Sequence, residues 1–123
     1  MYCKRERFNV TEVDSVRNEL DVHWYSYMIG GNEEFWKHEW LKHGSCAEQL
    51  PALNGTLKYF TQGLQWNQQY NLNDMLEAYG IVPNNTRPYN LEEFQNAIEA
   101  SIGAKAIIAC VHDKVSYRAG ERS

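Results

Sequence analysis

One stretch constrains this chain's fold more than any other: Ala106-Ile107-Ile108-Ala109-Cys110-Val111, a short continuous apolar run after a glycine stop at Gly103. That pattern belongs to a strand buried on both faces, so residues 104 to 111 are read as a buried strand, with a weaker one around Val115 and Tyr117. The chain before it is spaced and punctuated as helices. Because one central strand cannot make a sheet by itself, the expected class is α+β. A mostly helical segment packs on a central antiparallel sheet, part of which is missing from this chain, with partner strands expected upstream, downstream or both.

Thr11 begins the first predicted helix, with Asp14 three residues on in a capping-box-like place and Val13, Val16, Leu20 and Trp24 at helical spacing. It should end near Tyr25. Gly30-Gly31-Asn32 is a loop, and Glu33-Glu34 suit the positive end of a second helix running to Gly44. After Pro51, the segment from Thr56 to about Gln69 places Leu57, Phe60, Leu64 and Trp66 on a mostly buried helix, and Asn71 caps a shorter one closed by Gly80. Asn90-Leu91-Glu92-Glu93 is a capping box, opening a helix with Leu91, Phe94, Ala97, Ile98 and Ile102 inward and Gly103 at its end.

At 123 residues the chain is read as a single domain, 1–123. Its 43% hydrophobic and 23% charged residues fit a folded globular chain. No apolar run approaches the roughly 20 residues a membrane-spanning helix needs. A formal net charge of −4 supplies no global basic field to draw the protein onto duplex DNA, so any nucleic-acid contact is local. Cys3, Cys46 and Cys110 are an odd number, which in an oxidising compartment leaves one unpaired within the chain. Glycosylation sequons at Asn9-Val10-Thr11, Asn54-Gly55-Thr56 and Asn84-Asn85-Thr86 point the same way, to the secretory pathway. The front, Met1-Tyr2-Cys3-Lys4-Arg5-Glu6-Arg7, has no apolar stretch after its basic residues, so a signal peptide is expected to have been removed or the front to be truncated.

The chemistry is concentrated in the second helix, in Phe35-Trp36-Lys37-His38-Glu39-Trp40-Leu41-Lys42-His43-Gly44-Ser45-Cys46. At about 100° per residue from His38, Lys42 falls near 40°, Phe35 near 60°, Glu39 near 100° and His43 near 140°. Trp36, Trp40 and Leu41, at roughly 160°, 200° and 300°, offer bulky apolar groups to a core. Two imidazoles, a carboxylate and an ammonium on one face can move protons and stabilise an anionic transition state such as a phosphorane. His-Glu also suggests the zinc-protease pattern, but that needs its second histidine four residues on, and His43 follows His38 by five, about 140° around a straight helix. A solvated helix face with no chemistry is the plain alternative.

The segment 35 to 46 resembles the second active-site segment of the ribonuclease T2 family. The likeness extends from Tyr2-Cys3 and Phe8-Asn9 through Tyr59-Phe60 and Gly80-Ile81-Val82-Pro83 to the unit from Tyr89 to Cys110, about residues 2 to 112. It implies a metal-independent endoribonuclease with an acidic optimum, without a cofactor, in which the RNA 2′-hydroxyl attacks the neighbouring phosphate to leave a 2′,3′-cyclic phosphate. By resemblance His43 is the general acid/base, His38 contacts phosphate, Glu39 with Lys42 stabilises the pentacovalent intermediate, and Phe35 contacts a base. Cys3 and Cys46 resemble a family disulfide, which by chain entropy contributes about 4 kcal/mol. The expected partner is RNA, with neither DNA nor a membrane, for a monomer that is secreted or lies in a lysosomal or vacuolar lumen.

The family's first segment, His-Gly-Leu-Trp-Pro, carries the second catalytic histidine and lies upstream of the residues that Tyr2-Cys3 resembles; this sequence does not contain it. His23 and His112 are expected to be structural or solvent-facing. After Val111 the likeness is expected to stop, leaving Cys110 a free thiol. The competing functions are a catalytically inactive RNA-binding or protein-binding fragment, which binds RNA without shortening it, and a zinc hydrolase, which a chelator stops.

Overall fold

The computed structural model describes Cys3 and residues 7–110. It divides into two compact units, residues 1–71 and 72–123.

The first unit opens with a 3-10 helix, Val10–Val16, that runs into α1, Arg17–His23. The helix starts before the expected Thr11. Asn9 is the cap: its side-chain oxygen accepts from the Thr11 backbone N–H at 3.1 Å and from the Thr11 hydroxyl at 2.7 Å, so the threonine is spent on Asn9 and caps nothing itself. The second helix, α2, spans Gly31–Glu39. A π-helical turn, Trp40–Gly44, and a short α3, Ser45–Ala47, continue it. A 3-10 turn at Pro51–Leu53 then leads to α4, Thr56–Gln69.

These elements close on Val13, Leu20, Trp36, Trp40 and Phe60, each no more than 1% exposed. Burying each large side chain contributes about 1.5 to 3 kcal/mol before the entropy of ordering it. Trp24 packs edge-on against Phe60 at 4.9 Å, and Gly63 on α4 makes room for it: a Cβ there would lie 2.5 Å from Trp24 Cζ3. Arg17 ties α1 to α2, pairing with Glu33 at 2.6 Å while its guanidinium lies 5.5 Å from the Trp36 ring centre. The expected buried face of α4 is narrower than its spacing suggests. Phe60 is buried and Leu64 partly so, but Leu57 is 41% and Trp66 47% exposed.

In the second unit α5, Leu72–Glu77, and α6, Leu91–Ile102, pack together. The capping box forms with Asn90 Oδ1 accepting from Glu93 N and Glu93 Oε2 accepting from Asn90 N, both at 2.9 Å. Gly103 ends α6 in the left-handed region, φ 69°. Of the residues expected inward, Ala97 is buried and Phe94 and Ile98 are partly so, whereas Leu91 and Ile102 are exposed.

Over the described part of the expected strand, residues 104–110, no strand forms. Residues 104–110 form neither strand nor helix, and Ile107 is 97% exposed. No strand lies among the described residues to pair with this run, and a strand without a partner has no ladder to satisfy its backbone. Instead α6 side chains take up Ala106: its N–H donates to Glu99 Oε1 at 3.1 Å and its carbonyl accepts from Gln95 Nε2 at 3.5 Å. Val111, the second expected strand at Val115 and Tyr117, and His112 lie outside the described residues.

Candidate active site

Phe35, His38, Glu39, Lys42 and His43 are positioned by α2 and the π-helical turn after it. The helix is anchored from behind. Trp36 is fully buried and its indole Nε1–H donates to the Trp24 carbonyl at 2.6 Å, satisfying the polar end of the side chain. Trp40, 1% exposed, meets Tyr59 edge-on at 5.7 Å. Against this fixed back, His38, Lys42 and His43 are exposed, and Glu39 and Phe35 are half-buried, Phe35 packing on the edge of the core.

The helix is not straight where the sequence reading assumes it is. Residues 40–44 form a π-helical turn, with the Ser45 N–H shared between the carbonyls of His43 and of Trp40, five residues back, so each residue of this turn advances by less than the α-helix's about 100°. Lys42 and His43 are therefore turned back toward the face of His38 and Glu39, and the 140° separation drawn for a straight helix does not describe the site. The five-residue spacing of His38 and His43 does not by itself hold the two imidazoles apart here. Among the described residues no three His, Cys, Asp or Glu side chains gather as a metal site would need.

Glu39 also faces the core rim. Burial, and after it the negative charge of Glu39, hold the Tyr59 hydroxyl above its ordinary pKa, which keeps the phenol neutral beside the carboxylate. Behind His43 the chain is pinned covalently, since Cys46 is joined to Cys3 with their Cα atoms 5.1 Å apart. Cys110 is an exposed free thiol. His23 ends α1 and is exposed, at a different element from the motif.

Sequence reasoning assigned no part to Gly44, Ser45 or Tyr59. Gly44 is buried, and a Cβ on it would collide with the Trp40 ring and lie 3.1 Å from Tyr59 Cδ1. A glycine four residues after a tryptophan on the buried face was the available signal. Ser45, 3% exposed, donates its hydroxyl to the Leu41 carbonyl at 2.8 Å.

The family model for ribonuclease T2 matches residues 1–121, past the end at Val111 expected from the motifs. Ribonuclease Oy of Magallana gigas is 39% identical over 108 residues, 87% of this chain and 51% of that protein. Human ribonuclease T2 is 34% identical over 112 residues, 89% of this chain and 43% of that protein. The crystal structure of human RNase T2 superposes with a TM-score of 0.78 at 35% identity, covering 82% of this chain and 53% of that one. RNase NT, solved in complex with 5′-AMP, superposes with a TM-score of 0.77 at 30% identity over 90% of this chain and 53% of that one. The chain spans about half the length of the relatives it matches. With the motif helix, its buried tryptophans and a match along nearly the whole sequence, this chain belongs to the ribonuclease T2 family.

Proposed function

We propose that this chain carries the His38 to His43 part of an endoribonuclease site acting on single-stranded RNA by transphosphorylation. The observation that carries the reading is the arrangement of one helix, with His38, Lys42 and His43 open to solvent, Glu39 beside them, and Trp36 and Trp40 locked in the core behind. In this scheme His43 takes the proton from the 2′-hydroxyl, whose oxygen attacks phosphorus. Lys42 and Glu39 stabilise the pentacovalent phosphorane, with Lys42 offsetting charge on the non-bridging oxygens. His38 contacts the phosphate, and Phe35, half-buried, contacts a base. The bond to the 5′-oxygen breaks, a 2′,3′-cyclic phosphate remains, and the departing oxygen takes its proton from a second acid that is none of these four. The 5′-AMP held by the related RNase NT supports a nucleotide ligand.

The same reading makes the reaction metal-independent and best in acid, in a single-domain monomer released to the cell exterior or to a lysosomal or vacuolar lumen. There Asn9, Asn54 and Asn84 are the proposed glycan acceptors. At Asn9 and Asn84 the side-chain oxygen makes the local hydrogen bonds, and at Asn54 Nδ2 donates to the Glu48 carbonyl at 3.0 Å.

The test is digestion of RNA by the chain at about pH 5 with a chelator present, beside His43→Ala, with analysis of the new 3′ ends. Cyclic phosphates formed by the parent and lost in the variant are the expected result. RNA bound but left intact by the parent overturns it in favour of an inactive binding module.

A further inference from the structure

The π-helical turn falls in the middle of the motif, and side chains on both of its faces hold it there. In an α-helix the Ser45 N–H would bond to the Leu41 carbonyl; here it is shared between the carbonyls of Trp40, one residue further back, and His43, and not given to Leu41. The Leu41 carbonyl would then be short of its helical partner in a partly buried place, a cost that proteins avoid. The Ser45 hydroxyl supplies a donor in place of its own amide, bonding to Leu41 O at 2.8 Å from a side chain only 3% exposed. Back-bonding of this kind, from serine or threonine to the carbonyl four residues earlier, is a known cause of helix distortion. On the inner side, Trp40 lies against the bare Cα of Gly44 with Tyr59 beside them, so the turn is held from within the core as well.

We infer that Ser45 is a positioning residue: its hydroxyl holds the wide turn, and the wide turn sets Lys42 and His43 against His38 and Glu39. Ser45 touches no substrate in this scheme. It acts through the backbone of the turn, whose carbonyl at Leu41 immediately precedes Lys42. The consequence for chemistry rests on the ribonuclease reading above; the hold on the turn does not. Without the hydroxyl, the cheapest relief for the Leu41 carbonyl is recapture of the Ser45-position N–H, which restores an α-helical register and swings Lys42 and His43 away. Threonine keeps the donor atom at the same place and readily bonds to that carbonyl in a helix.

Ser45→Ala and Ser45→Thr in the full chain test this with two readouts. The first is the through-hydrogen-bond NMR coupling of the residue-45 amide nitrogen, which names its carbonyl acceptor. It should report Trp40 in the parent and the threonine variant, and Leu41 in the alanine variant. The second is steady-state RNA cleavage, where displacing catalytic groups by an ångström costs on the order of 100-fold. Ser45→Ala should lower kcat about 10- to 100-fold with KM changed less than about twofold, and Ser45→Thr should recover most of it. An alanine variant that still pairs with Trp40 overturns the inference, and so does one that shifts to Leu41 but keeps the parent kcat. If the parent itself does not cleave RNA, the ribonuclease reading fails, and the acceptor measurement alone decides whether Ser45 holds the turn.

Discussion

Replacing Trp36 with Phe separates the hydrogen-bonded anchor of the motif helix from mere bulk. The substitution removes the Nε1–H that donates to the part-buried Trp24 carbonyl at 2.6 Å, from a Trp36 side chain that is itself fully buried. Leaving that acceptor unpaired costs about 1 to 3 kcal/mol, toward the lower end because the bond is only part-buried. The smaller ring also vacates roughly 40 Å³, worth about 1 kcal/mol at ~24 cal/mol per Å³ if the neighbours do not collapse. The loss expected is about 2 to 3 kcal/mol, or roughly 10 to 20 °C in Tm for a cooperative unit of this size. Trp66→Phe is the matched control, because Trp66 is 47% exposed and should cost no more than about 0.5 kcal/mol. Urea unfolding followed by far-UV circular dichroism measures both without relying on the altered fluorescence. Equal costs for the two variants would refute the assignment of Trp36 as a hydrogen-bonded core anchor.

Two further predictions test local packing and charge. Gly63→Ala improves helix propensity by up to about 1 kcal/mol, but its Cβ would sit 2.5 and 2.9 Å from Trp24 atoms that Phe60 and Tyr59 hem in. Overpacking should win, giving a net loss of about 1 to 2 kcal/mol, and a variant more stable than the parent in the same urea assay would sink that account. In the second unit, the Asn90 backbone N–H and then the Arg87 guanidinium hold the Glu93 carboxyl below the usual carboxylate range. A carboxyl depressed by folding binds fewer protons folded than unfolded, so its contribution is present above the unfolded value and is lost as pH falls through the folded one. Glu93→Gln keeps the capping geometry and removes the charge, so its helicity should decline less steeply below about pH 4.5 than the parent's. Superimposable acid titrations would dispose of the claim.

How far a sequence can be read depends on whether the relevant signal is local. The capping box at Asn90 and Glu93, the stop at Gly103 and the burial of Trp36 and Trp40 were all legible, because caps, glycine stops and helical spacing act within one or two turns. The shared placement of Phe35, His38, Glu39, Lys42 and His43 on one helical segment was legible for the same reason. The start of the first helix was misplaced by the preference of Asn9 for Thr11, a competition between two good caps that spacing alone does not rank. The run at residues 104 to 110 forms no strand, because an apolar run states what the chain would bury, and pairing needs partner strands that no run of six residues carries.

What the sequence determined by itself is the inventory: which side chains can move protons, which helix bears them, and which of its residues are too large and apolar to face water. What only the tertiary structure decided is their relative orientation. The π-helical turn exists because Trp40, Gly44 and Tyr59 interlock across two helices and Ser45 completes a bond the backbone gave up. Those contacts join residues 40 to 45 with residue 59, and no periodicity along one helix can express a constraint imposed by another.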